Sequence, residues 1–133
     1  MKRKLQNTVD ELNSNNRFAI GNDLVFLPNF LTSLTEDFKK KVYTTAELAY
    51  CDQFSDPALR YASTWAAKEA VYKAVKQLNR KPLSWKKIEI IREKTAGRPH
   101  VILHQHEHPF KISLSISHDG DYIWAAAFVE INP

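Results

Sequence analysis

Only one cysteine, Cys51, occurs in the 133 residues, which excludes an internal disulfide and suits a reducing cytoplasm. A lone thiol of this kind is expected to pack rather than to act as a nucleophile. Glycine and proline are scarce, at three and six residues, and 26% of the chain is charged against 44% hydrophobic. That balance argues against disorder. No apolar run approaches the roughly 20 residues that a membrane span needs, so neither a membrane partner nor insertion is expected. Lys2, Arg3 and Lys4 open the chain, but Leu5 to Asn16 is polar and lacks the apolar centre of an export signal.

What is present fits one compact domain, with enough apolar residues for a core. It is small for a self-contained enzyme acting on two substrates, and a site shared between subunits follows naturally. The formal charge of +4 and pI near 9.2 favour an anionic partner, whether nucleic acid, a phosphorylated small molecule or an acidic protein.

Residues 1–16 read as an N-terminal appendage, with Asn13-Ser14-Asn15-Asn16 as the break before a single domain over 17–133. A strand is predicted over Arg17–Leu27. Capping-box spacing at Ser33/Glu36 and Thr44/Glu47 predicts short helices over Leu34–Lys41 and Thr45–Gln53. Pro57 to Leu78 predicts the one long helix, capped by Ser55 or Asp56 and ended by Lys81-Pro82. Strands follow over Trp85–Ile91 and His100–His104, separated by the turn Thr95-Ala96-Gly97-Arg98-Pro99. Phe110 to Ser117 alternates apolar and polar, as a strand with one buried face does. Asp119-Gly120 turns the chain into Tyr122–Ile131, which is apolar on both faces and is expected to be central or covered by another subunit.

Several side chains carry chemistry. Asp23 sits inside an apolar strand, where an unpaired carboxylate is costly to bury and calls for a cation or backbone amides. Glu69 and Lys73 stand four apart on one helix face, among alanines and Trp65, with Lys68 on the adjoining stripe. Ser117 and His118 end a strand just before the Asp119-Gly120 turn, a setting that suits phosphate. His104, His106 and His108 alternate, but a polar hairpin loop explains them more simply than a metal site. Two carboxylates with cations and hydroxyls match magnesium and phosphate chemistry, since Mg²⁺ takes one or two carboxylates beside phosphate oxygens and water.

In chain order, Gly21-x-Asp23, Val42 to Cys51, the Trp65–Ala74 helix, Gly97-Arg98-Pro99 and Ser115-Ile116-Ser117-His118 resemble the holo-acyl-carrier-protein synthase type of 4'-phosphopantetheinyl transferase. The resemblance runs from about Arg17 to Glu130. It implies an α+β fold, a small antiparallel sheet packed on the long helix with short helices beside it. It further implies that Asp23 and Glu69 hold Mg²⁺ with the coenzyme A pyrophosphate, and that Lys73 and Lys68 steady phosphate oxygens. Ser117 and His118 would touch coenzyme A phosphates, and the Gly97, Arg98, Pro99 turn would lie near the nucleotide. The partner implied is an acidic acyl carrier protein, not nucleic acid, and the assembly a homotrimer with each site between neighbours. Two positions depart from the pattern: Thr64 stands where an arginine is frequent, and Tyr72 where a small hydroxyl residue is expected. Competing readings are a basic nucleic-acid-binding module using Lys39-Lys40-Lys41 and Lys86-Lys87, and a catalytically lapsed carrier-binding homologue.

Overall fold

A computed structural model of the chain describes residues 3–5, 17–93, 97–105 and 110–131. Most of the N-terminal appendage, and His106 and His108 of the histidine run, lie outside the described residues. Strand β1 (Phe18–Phe26) leads into three short helices, α1 (Leu27–Ser33), α2 (Glu36–Val42) and α3 (Thr45–Asp52). The long helix α4 (Pro57–Leu78) follows, then a single 3-10 turn (Trp85–Lys87) and β2 (Ile88–Ile91). The chain closes with β3 (His100–Leu103), β4 (Phe110–Asp119) and β5 (Tyr122–Ile131). One antiparallel sheet has the order β1-β5-β4, and β2 pairs with β3 in a second. The α+β architecture expected from the sequence is therefore present, with β5 in the centre.

Helix α4 begins where its signals lie. Asp56 accepts from the Leu59 amide at 3.4 Å, and Pro57 occupies the first turn, where its fixed φ suits the helix and its missing N–H costs nothing. The buried face of α4 is built largely of Ala66, Ala67, Ala70 and Ala74 with Val71 and Val75. Small side chains let the sheet approach closely, so that Ala19, Ile123, Ala125, Ala127 and Val129 complete the core. Each large apolar side chain buried there contributes about 1.5–3 kcal/mol.

The structure corrects three sequence expectations about elements. The first strand stops at Phe26 rather than Leu27, because Pro28 falls in the opening turn of α1, a helix the sequence reading did not contain. Ser33 is the last residue of that helix, so the cap of α2 is Thr35, whose hydroxyl accepts from Phe38 N at 3.1 Å. Trp85 to Lys87 form a 3-10 turn, not strand. The second capping box is present: Thr44 Oγ1 accepts from Glu47 N at 3.2 Å, and Glu47 Oε1 from Thr44 N at 2.9 Å.

On the face of the β1-β5-β4 sheet away from α4, Ile20, Leu24 and Trp124 are 58%, 61% and 47% exposed. Ser115 and Ser117 pair across from Ala126 and Trp124 and share that outer face.

Candidate active site

Three of the side chains singled out in the sequence meet at the junction of β1 and α4. Lys73 Nζ donates to Asp23 Oδ1 at 2.9 Å and to the Asn22 carbonyl at 3.1 Å. Glu69 stands within hydrogen-bond reach of Asp23, and its carboxyl is pushed up to about 7. Burial is the largest cause, followed by the hydrogen bond to Asp23 and the charge of Asp23, while Lys73 acts in the opposite direction. Asp23 is nearly buried at 9% exposure. Two acids held this close need a shared proton or a cation between them.

Asp23 and Glu69 line a hollow of about 430 Å³ together with Phe26, Asn29, Phe30, Ser33, Phe38 and Trp65. Helices α1 and α2 thus shape the mouth of the site. Gly21 explains how β1 comes so near: a Cβ there would lie 2.0 Å from the Ala70 carbonyl oxygen and 2.8 Å from Ala74 N. Only a glycine fits this crossing.

Lys68 does not reach the hollow. Its side chain is fully buried, and Nζ donates to Glu47 Oε1 and to the Ile88 carbonyl, each at 2.6 Å. Glu47 in turn accepts from Ile90 N at 2.8 Å through Oε2. Burial pulls the Lys68 ammonium below its ordinary value, opposed by the charge and hydrogen bond of Glu47. The expected part of Lys68 in steadying phosphate gives way to a structural one, because its ammonium ties α4 to α3 and β2 and has no exposed surface. Sequence reasoning saw Glu47 only as a capping residue.

Ser117 and His118 separate onto opposite faces of β4. Ser117 lies on the outer face opposite Trp124, whereas His118 pairs with the buried Ile123 and lines a second hollow of about 270 Å³. Gly97 and Pro99 line that same hollow, together with Tyr50, Arg60 and Arg92, which the sequence reading did not single out. Arg98 turns instead toward the outer face, where it and Pro99 border a trough with Ile20, Ser113, Ser115 and Phe128. No lining residue of the carboxylate hollow recurs in the His118 hollow. Among the described residues there is no cluster of three metal-ligating side chains, and His104 bonds Glu89 at 3.1 Å.

Comparison with known proteins bears out the enzyme class expected from the sequence. Residues 19–127 match the 4'-phosphopantetheinyl transferase superfamily. The chain is 40% identical over 93 residues to the holo-[acyl-carrier-protein] synthase of Chlorobaculum parvum, covering 70% of this chain and 79% of that one. To the Chlorobaculum tepidum synthase it is 39% identical over 114 residues, 84% of this chain and 97% of the relative. The ACPS–CoA complex of Chronobacterium ammoniagenes superposes with a TM-score of 0.76 at 27% identity, covering 89% of this chain and all of the other. With residues 19–127 matched and relatives near 40% identity over most of the chain, the chain belongs to the 4'-phosphopantetheinyl transferase superfamily.

Proposed function

We propose that the chain transfers the 4'-phosphopantetheine group of coenzyme A to a serine of an acidic acyl carrier protein, with Mg²⁺ held by Asp23 and Glu69. The observation that carries the metal is the contact between two carboxyls at one buried junction, with Glu69 pushed up to about 7 by burial and by Asp23. Hard oxygen donors in this number fit Mg²⁺, whose remaining positions go to phosphate and water. Held by Asp23 and Glu69, Mg²⁺ would supply neutralisation of charge on the pyrophosphate and on the transferred phosphoryl oxygens. Lys73, half exposed and oriented by Asn22 and Asp23, stabilises the oxygen charge that grows as the carrier serine attacks the β-phosphorus and 3',5'-adenosine diphosphate departs. The side chains of Phe30, Phe38 and Trp65 line the same hollow.

The nucleotide end of coenzyme A belongs with Gly97, Pro99 and His118, while Ser117 and Arg98 lie on the outer face of the sheet, apart from that hollow. Since the carboxylate and His118 hollows are separate within one chain, the complete site forms between neighbours of a homotrimer. The exposed apolar band of Ile20, Leu24 and Trp124 supplies the surface that association would cover. Exposed Lys40 and Lys41 on α2, beside Phe38 at the mouth, face the acidic carrier. The domain extends over 17–133 with residues 1–16 as an appendage, and the enzyme works in the cytoplasm. Among the described residues no helix is long and apolar enough to cross a membrane.

The test is transfer by Asp23→Asn and Glu69→Gln enzymes across a Mg²⁺ titration. Each is expected to fold normally and to lose activity at least about a hundredfold, with activity of the unmodified chain abolished by chelator. Full activity in excess chelator, or near-normal transfer by both variants, contradicts the metal assignment.

A further inference from the structure

Strand β1 is an edge strand, and its pairing with β5 determines which of its backbone groups are left over. Leu27 N donates to the Asp121 carbonyl and Ile131 N to the Arg17 carbonyl at the two ends of the ladder. The odd-numbered residues of β1 therefore exchange hydrogen bonds with β5, and the even-numbered ones turn their carbonyls to the free edge. Helix α4 takes up two of these. Lys73 Nζ donates to the Asn22 carbonyl at 3.1 Å, and Gln77 Nε2 donates to the Ile20 carbonyl at 2.9 Å and to the Lys73 carbonyl of its own helix at 3.2 Å. The spacings match: four helical residues rise about 6 Å and two strand residues about 6.8 Å, and helix and strand run in opposite directions along the contact. One turn earlier on the same helix row stands Glu69, beside Asp23.

We propose that Gln77 is a positioning residue for the reaction, holding the β1 edge in register with α4 so that Asp23 stays beside Glu69 where the metal binds. The inference rests on the transfer reading above. Gly21 lies between the two clamped residues, at the close crossing over Ala70 and Ala74. A glycine is the most permissive residue of the backbone, so the conformation of the strand there is left to the groups on either side. On one side is Lys73, which is shared: its ammonium also serves Asp23 Oδ1 at 2.9 Å and, during transfer, the phosphoryl oxygens. On the other side is Gln77, which is not shared. It is neutral, and its two amide hydrogens match its two carbonyl partners. Gln77 therefore keeps the edge fixed while Lys73 turns to the substrate.

The test compares Gln77→Met, which keeps the length of the side chain and loses both donors, with Gln77→Lys, which keeps a donor. Gln77 is exposed, so neither change reaches the core. Mg²⁺ is titrated calorimetrically into the chain saturated with coenzyme A, with no carrier present and therefore no turnover. Gln77→Met is expected to lower Mg²⁺ affinity about two- to tenfold, the range of one hydrogen bond, and Gln77→Lys to stay within about twofold of the unmodified chain. In steady-state transfer the Met variant should lose kcat with KM for the carrier unchanged. Unchanged Mg²⁺ affinity in Gln77→Met, whatever its stability in urea, overturns the proposal, because a merely structural glutamine costs stability alone. A Lys variant as impaired as the Met variant overturns it too, as does a raised carrier KM in place of the kcat loss. Failure of the unmodified chain to bind Mg²⁺ or to transfer the group overturns instead the reading beneath it.

Discussion

Gly21 lies so close to Ala70 that a Cβ on the glycine would stand 2.0 Å from the Ala70 carbonyl oxygen. That contact brings β1 onto α4 and, two residues on, sets Asp23 beside Glu69 and Lys73. Gly21→Ala is expected to force the strand away from the helix, costing about 1–3 kcal/mol in urea unfolding and lowering transfer more than stability alone explains. Unchanged stability and activity would show that the crossing is not tight.

Lys68 and Glu47 form a fully buried ion pair at 2.6 Å. Lys68→Met leaves the Glu47 carboxylate in the interior without its cation, an uncompensated charge that costs about 3–5 kcal/mol. Since the Lys68 ammonium does not line the carboxylate hollow, KM for coenzyme A per folded molecule should stay near normal. A large rise in KM with little loss of stability would restore a phosphate role for Lys68.

The Glu69 carboxyl is raised from 4.5 to about 7 by burial and by Asp23. A raised carboxyl favours the protonated fold, so its contribution to stability is full below the ordinary value and is lost as pH rises through about 7. Without metal, the chain is expected to become less stable between those limits as pH rises, and Glu69→Gln to flatten the profile. Mg²⁺ should bind more tightly as pH rises through the same window, releasing a proton. A profile unaltered by Glu69→Gln would assign the titration elsewhere.

Assembly is tested by complementation. Asp23→Ala and His118→Ala chains, each inactive alone, are mixed after dissociation and reassembled. Random cyclic association places an intact Asp23 opposite an intact His118 at about a quarter of interfaces, so activity should return to that order. Verified hybrids that recover nothing, together with unmodified protein that sediments as a monomer, would contradict a site shared between neighbours.

Helix α4 was legible from end to end because Asp56, Pro57 and the alanine-rich body are local signals. That Asp23, Glu69 and Lys73 act together was implied by the family resemblance, since a strand acid and a four-residue Glu–Lys spacing alone fit an ordinary strand-end acid and a surface pair just as well. The fate of Lys68 was not legible, since what buries it is Glu47, 21 residues away, and the Ile88 carbonyl, 20 residues away. Arg92 was hidden for the same reason: its anchor on Thr64 spans 28 residues, and a single arginine after a short apolar strand looks like any solvated charge. Alternation placed Ser117 and His118 at one strand end, but the same alternation sends them to opposite faces, which the sequence reading did not use.

The transfer itself is tested most directly by the intact mass of an apo acyl carrier protein incubated with the chain, coenzyme A and Mg²⁺. The expected result is a gain of one phosphopantetheine group on the carrier, with stoichiometric release of 3',5'-adenosine diphosphate and no gain when Glu69→Gln replaces the unmodified chain. A carrier whose mass stays unchanged under conditions where a known synthase modifies it fully would contradict the assigned reaction.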